Sequence, residues 1–138
     1  MITDEMVAVN CQCYKLRRAA RKVTRVYDDA LRPVGIKANQ CTTLIVVSLL
    51  GPVSITNIAD KLGMERTTVT RNLVPLETAG FIKLQPGHGR TRNVLITPKG
   101  KAVIKKAKPA WAEAQRQVLE TISESELASF NNILEKFS

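Results

Sequence analysis

The stretch Arg66–Asn72 carries the side chains in this sequence that are best suited to bind a polyanion. It runs Arg-Thr-Thr-Val-Thr-Arg-Asn. A guanidinium group binds phosphates, or a guanine edge through two hydrogen bonds, and threonine contacts phosphates, base edges or a thymine methyl group. A second basic cluster follows in the glycine-rich stretch Pro86–Arg92, which contains His88, Arg90 and Arg92. Together these groups predict contacts with nucleic acid if one surface presents them all.

Thiols are the other reactive groups, and they lie at Cys11, Cys13 and Cys41. An odd number of cysteines in a reducing cytosol disfavours a structural disulfide framework. Residues two apart on a helix point about 200° away from each other, so Cys11 and Cys13 cannot chelate one ion on an intact helix. A soft-metal or arsenite site that also uses Cys41 remains an alternative, because thiolates favour soft ions.

Composition supports a polyanionic partner and disfavours several other classes. The 138 residues carry a formal net charge of +9, and 44% of them are hydrophobic but only 4% aromatic. The acidic N-terminus does not resemble a signal peptide, and the apolar run 42–50 is too short to span a bilayer, so we expect a cytoplasmic protein without a membrane partner. With one histidine and no glycine-rich phosphate loop, no cofactor, metal site or enzyme activity is predicted. A thiol peroxidase acting through Cys13 is the enzymatic alternative.

The elements that must position these groups follow from periodicity. Ser54 begins a short helix with one apolar face, Gly63 ends it, and a second helix runs from about Arg66 to Thr78. Alternating residues around Ile82 and around Val94 then predict a β-hairpin with a basic loop. Two short helices followed by a hairpin form a winged helix-turn-helix. The predicted DNA contacts are Ser54, Arg66, Thr67, Thr68, Thr70, Arg71, Asn72, His88, Arg90 and Arg92.

Long helices are predicted at both ends of the chain. One runs from about Asp4 to Leu31, and another runs from Thr97-Pro98 to about Thr121 before a last helix that a Ser123–Glu126 capping box begins. The fold class is mainly α, with terminal dimerisation helices at 1–35 and 98–138 around a winged module at 36–97. The first helix has a coiled-coil-like apolar seam formed by Cys13, Leu16, Ala20, Val23, Tyr27 and Ala30.

Nearly the whole chain resembles the MarR family of transcriptional regulators. The resemblance rests on ITNIADKLGMERTTVTRNLVPLETAGFIKL and on the wing segment RNVLITPKG. It implies a homodimer with interleaved terminal helices that binds double-stranded DNA at a pseudo-palindrome as a repressor. It also implies major-groove roles for Thr67, Thr68, Thr70 and Arg71 and a wing role for Arg90. His88 departs from the family, which usually has an aspartate there that supports the wing through an ion pair.

The segment CYKLRRAARKVTRVYDDALRPVGI is similar to the organic-hydroperoxide-sensing branch of that family. This similarity implies a peroxide-reactive thiol at Cys13 and a hydrogen-bonding tyrosine at Tyr27. Two further tyrosines of that branch are Arg17 and Ala38 here. Arg17 would stabilise a Cys13 thiolate. The alternative is that Cys13 only packs in the dimer seam.

Other routes of regulation and other functions stay open at this point. A small aromatic acid or drug between the terminal helices and the winged module is a second way to release DNA. The rival function is a non-specific architectural nucleic-acid-binding protein, which basic composition fits equally well. Scarce aromatic residues argue against single-strand binding.

Overall fold

Seven helices and a small antiparallel sheet make up this computed structural model, which describes residues 1–138. The predicted fold class, mainly helical with a winged helix-turn-helix, is confirmed. A short 3₁₀ turn, Arg32–Val34, ends the second helix, and Gly35 follows it. The helices are α1 (Asp4–Asn10), α2 (Gln12–Leu31), α3 (Ala38–Leu50), α4 (Ile55–Leu62), α5 (Arg66–Thr78), α6 (Pro98–Leu119) and α7 (Glu124–Glu135), and the strands are β1 (Val53–Ser54), β2 (Ile82–Pro86) and β3 (Arg92–Ile96).

The prediction of one unbroken N-terminal helix is wrong, because the helix breaks at Cys11. The Asn10 side chain donates to the carbonyl of Met6 at 2.9 Å, while Cys11 adopts an extended conformation. The Cys11 sulfur then accepts the backbone N–H of Tyr14 at 3.4 Å and begins α2. Short polar side chains that bond to nearby backbone groups compete with helix continuation in this way. Cys11 and Cys13 therefore do not lie on one intact helix, and the angle of about 200° expected between them does not apply.

β3 is the middle strand of the sheet, whose order is β1-β3-β2. Val94 on β3 is fully buried and pairs with Val53 on one side and Leu84 on the other. The sequence predicted the hairpin of β2 and β3 but not the two-residue strand β1. A strand this short has no periodicity, so only its pairing with β3 reveals it.

The two helices of the helix-turn-helix bury the faces that their apolar spacing predicts. Ile58 and Ala59 of α4 lie in the core with Val69 and Leu73 of α5. The Ser54 hydroxyl caps α4 by accepting the N–H of Asn57 at 3.1 Å. The bounds of α5, Arg66–Thr78, agree with the prediction.

One junction joins the wing to the long helix α6. The Thr97 hydroxyl donates to the carbonyl of Gly80 at 2.6 Å and accepts the N–H of Gly100 at 3.0 Å, so it begins α6 and holds the end of α5 at once. A Cβ on Gly100 would lie 2.1 Å from the carbonyl oxygen of Phe81. Only glycine permits this close approach between helix and strand.

The terminal helices α1, α2 and α7 have fewer buried residues than the helices of the winged module. α2 packs along α6, but α1 and α7 bury no residue at all. In the seam of α2, Tyr27 and Ala30 are half-buried, whereas Cys13, Leu16, Ala20 and Val23 are exposed. Apolar stripes that remain open in one chain indicate surfaces for another chain.

No single helix is long and apolar enough to cross a membrane. The segments Gln12–Val34 and Ala38–Leu50 meet those limits only when they are taken together across a 75° bend.

The core of the winged module predicts a matched pair of stability mutants on α3. Leu44 is 0% exposed and Leu49 is 77% exposed, so the same substitution probes both environments on one helix. Leu44→Ala should lower the free energy of unfolding by about 2–5 kcal/mol through lost burial and a cavity. Leu49→Ala should change it by less than about 0.5 kcal/mol. Urea unfolding at a fixed protein concentration measures both, and equal losses would contradict the described core.

Candidate nucleic-acid interface

The N-terminal half of α5 presents most of its predicted DNA contacts to solvent. Arg66, Thr67, Thr70 and Arg71 are exposed, while Val69 between them is buried. Thr68 and Asn72 are half-buried, so less of each side chain is free for a ligand. A helix whose inner face is held by the core and whose outer face carries hydroxyl and guanidinium groups has the form needed to enter the major groove.

Two hydroxyls of the site already make one hydrogen bond each. Thr70 donates to the carbonyl of Arg66 at 2.9 Å, which leaves its oxygen lone pairs free to accept. Ser54 accepts from Asn57, so its own proton stays free to donate to a phosphate oxygen. Ser54 also pairs with Asn93 in the sheet, which places the start of α4 beside the base of the wing.

The wing is closed by its own backbone and by one threonine, with no ion pair at His88. The N–H of Thr91 donates to the carbonyl of His88 at 3.0 Å, and the Thr91 hydroxyl donates to the same oxygen at 2.5 Å. Gly89 takes a φ of 61°, which is the left-handed region that favours glycine. These bonds close the wing at the position where the family resemblance implies an aspartate ion pair. His88, Arg90 and Arg92 are all exposed.

The predicted cationic contacts carry no internal carboxylate partner. The three ion pairs of the structure join Arg32 to Asp29 and Arg116 to Glu113 and Glu120. Hydrogen bonds from Arg116 and then Gln117 lower the pKa of Glu113 to about 2. The guanidinium groups at Arg66, Arg71, Arg90 and Arg92 are therefore free to pair with phosphates.

The predicted sensing residues do not form one cluster. Cys13 and Arg17 are exposed on α2, Cys11 is half-buried at the helix break, and Cys41 is buried in α3. Tyr27 lies about 21 Å along α2 from Cys13 and its hydroxyl donates to Gln115 of α6. Burial raises the pKa of the Cys41 thiol and that of the Tyr27 hydroxyl. No three cysteine, histidine or acidic side chains come together in a way that would hold a metal ion.

Two adjoining cavities lie where α2, α3 and α6 meet, and we call them the arm cavities. One has a volume of about 270 Å³ and the other about 490 Å³, and Cys41 and Trp111 line both. Tyr27 lines the smaller cavity, and Lys108 brings the only charged side chain to the larger one. Trp111 and Lys108 were not predicted as site residues from the sequence. The one available signal was Trp111 itself, which is the only tryptophan and lies on a helix otherwise poor in aromatic residues.

A solved relative places this arrangement among known proteins. The transcriptional regulator MosR of M. tuberculosis, whose structure is known in complex with DNA, shares 34% of its sequence with this chain over 92% of this chain and 98% of MosR, at a TM-score of 0.78. The chain belongs to the MarR family. Like its relatives in the MarR family, it is a DNA-binding transcriptional regulator.

Other comparisons agree with membership of the MarR family. The regulator PecS of Dickeya dadantii is 26% identical over 86% of this chain and 75% of PecS. A mutant MarR of E. coli complexed with operator DNA is 18% identical, covers 98% of this chain and 99% of its own, and superposes with a TM-score of 0.88, which shows the shared fold. No protein-family model matches the chain.

Proposed function

We propose that this protein is a homodimeric repressor that binds a pseudo-palindromic operator and releases it when a small aromatic acid occupies the arm cavities. The observation that carries the proposal is the set of exposed hydroxyl and guanidinium groups on α5, beside a basic wing, with no carboxylate paired to any of these cations. In this proposal α5 reads the major groove through Thr67, Thr68, Thr70 and Arg71. The wing arginines Arg90 and Arg92 bind phosphates or the minor groove.

Base reading and phosphate binding predict different effects of two substitutions. Arg71→Ala should weaken binding to the duplex upstream of the protein's own gene by about 1–3 kcal/mol and reduce its preference over a scrambled duplex. Arg90→Ala should weaken binding to both duplexes alike and lower the salt dependence of the affinity by about one phosphate contact. Fluorescence anisotropy in about 0.15 M salt measures both.

Lys136→Ala, at the end of α7, is the charge-matched control for this titration and should leave both affinities unchanged. An Arg71→Ala protein that keeps its full preference for the upstream duplex would contradict the reading role of α5. Equal binding of the unaltered protein to both duplexes would favour the non-specific architectural alternative.

The proposed dimer rests on the open apolar surface of the terminal helices. Phe130 and Ile133 of α7 are 47% and 50% exposed, and Val7 of α1 is 53% exposed. Neither helix buries any residue within its own chain. Packing these stripes against a second copy would remove them from water, which stabilises association in proportion to the apolar area buried.

A charged residue in this stripe should weaken the dimer, whereas the same charge beside the stripe should not. Phe130→Asp places an uncompensated carboxylate in the proposed interface and should shift the protein toward monomer at micromolar concentration. Asn131→Asp adds the same charge at the next, exposed position and should leave the dimer intact. Sedimentation velocity distinguishes the two outcomes. A Phe130→Asp protein that remains as dimeric as the Asn131→Asp protein would place the interface elsewhere.

Release of DNA is assigned to the arm cavities because of their size and lining. They lie between the proposed dimerisation helices and the winged module, and their volumes suit a small ring compound. The Trp111 ring supplies a stacking surface, and the Lys108 ammonium supplies a counter-ion for a carboxylate. A ligand that binds more tightly when the dimerisation helices lie farther from the winged module would favour that conformation over the one that binds DNA.

The single tryptophan makes occupation of these cavities directly measurable. Benzoate or cinnamate should quench Trp111 fluorescence saturably and weaken binding to the upstream duplex over the same concentration range. Lys108→Gln should weaken acid binding about tenfold through loss of a charge-assisted bond. Lys106→Gln, an exposed lysine outside the cavities, is the matched control.

Thiol oxidation is the competing route, and MarR of E. coli is itself known in an oxidised form. If neither acid acts, and organic hydroperoxide releases DNA from the unaltered protein but not from Cys13→Ser, oxidation replaces the ligand in the proposal.

A further inference from the structure

Three arginines on α2 form a basic surface outside the elements that read DNA. Arg18, Arg21 and Arg25 fall within an arc of about 60° around the helix, and we call them the arginine face. All three are exposed, and no carboxylate pairs with any of them. An open groove of about 410 Å³ lies beside Arg21 and Arg25, and Thr24 and the seam residue Ala20 complete its lining. We propose that the arginine face binds the phosphate backbone of a second stretch of double-stranded DNA.

The position of these arginines on the helix argues that neither α6 nor a partner's apolar helix covers them. The apolar seam, marked by Leu16 and Val23, lies about 160° away around α2. The same side of the helix contacts α6, where Tyr27 meets Gln115. A second copy that packs on the seam would reach Arg17 at its edge and would leave the arginine face in solvent.

The chemistry of the face fits phosphates better than a protein surface. The centre of a protein interface is depleted in charge and built on apolar anchors, whereas DNA-binding surfaces are polar and strongly positive. The arginine face holds no aliphatic side chain, and its one neighbouring aromatic, Tyr14, can donate its hydroxyl to phosphate. Guanidinium groups bind phosphate oxygens through two parallel hydrogen bonds.

Repulsion between the cations of α2 also favours binding of a polyanion. Six cations lie between Lys15 and Arg25, and the segment contains no acidic residue. Like charges three and four positions apart, such as Arg18 with Arg21 and Arg21 with Arg25, destabilise a helix. Duplex DNA carries one negative charge per about 1.7 Å of its axis, and the arginine face extends about 10 Å. A phosphate backbone would relieve the repulsion along the whole face.

A bridging experiment tests this surface separately from DNA reading by α5. The full-length protein is captured on beads that carry the upstream duplex, and a second, fluorescent duplex of scrambled sequence is added in about 0.05 M salt, where screening is weak. The unaltered protein should retain the second duplex. The triple variant Arg18→Gln, Arg21→Gln, Arg25→Gln should be captured on the beads as before and should lose at least about nine-tenths of the retained duplex.

The charge-matched control is Lys101→Gln, Lys105→Gln, Lys136→Gln, which removes three exposed cations away from α2 and should retain the second duplex. Retention by the arginine-face variant equal to that of the control would overturn the proposal, as would no retention by the unaltered protein. Sedimentation velocity accompanies the assay. If the arginine-face variant loses its dimer together with the second duplex, the face contacts the partner subunit, for example the acidic helix α7, and the proposal fails. Capture on the first duplex is scored separately, so failure of the proposed function is distinguishable.

Discussion

The central position of β3 is the constraint on which the rest of the winged module depends. This strand contacts β1, β2, α3, α4 and α6, and its Val94 is fully buried among them. Because Val94 pairs with Val53 on one side and Leu84 on the other, one strand sets both the start of α4 and the register of the wing. A one-residue slip of β3 would turn Val94 to solvent and move Arg92 to the opposite face.

A second constraint lies where the module meets the long helices. Thr97 bonds to Gly80 and Gly100, and Gly100 lies too close to the Phe81 carbonyl to accept any side chain. The end of α5 and the beginning of α6 are thus held by the same hydroxyl. A movement of α6 relative to α2 and α3, where the arm cavities lie, would therefore be transmitted to the end of α5 through a short, stiff connection rather than through a loop.

The exposed cations of α5 and the wing differ from Arg32 and Arg116 in their partners. They have no carboxylate partner, and the three ion pairs lie on the α2–α6 side of the molecule. Exposed pairs of this kind contribute little to stability. The wing is closed by backbone hydrogen bonds and by Thr91, and Arg90 has no internal carboxylate partner.

The helices of the winged module follow from local signals in the sequence. Ser54, Gly63 and the Arg66–Thr78 period act within one or two helical turns and predicted α4 and α5, as the Ser123–Glu126 box predicted α7. Two features required long-range contacts: β1 exists only through its pairing with β3, and the arm cavities bring Tyr27, Cys41 and Trp111 together from three helices. The break at Cys11 is local, but periodicity missed it because a thiol and an amide bond to nearby backbone there. No periodicity in the chain encodes such contacts, because they join residues far apart in sequence or replace a regular hydrogen bond by a side-chain bond.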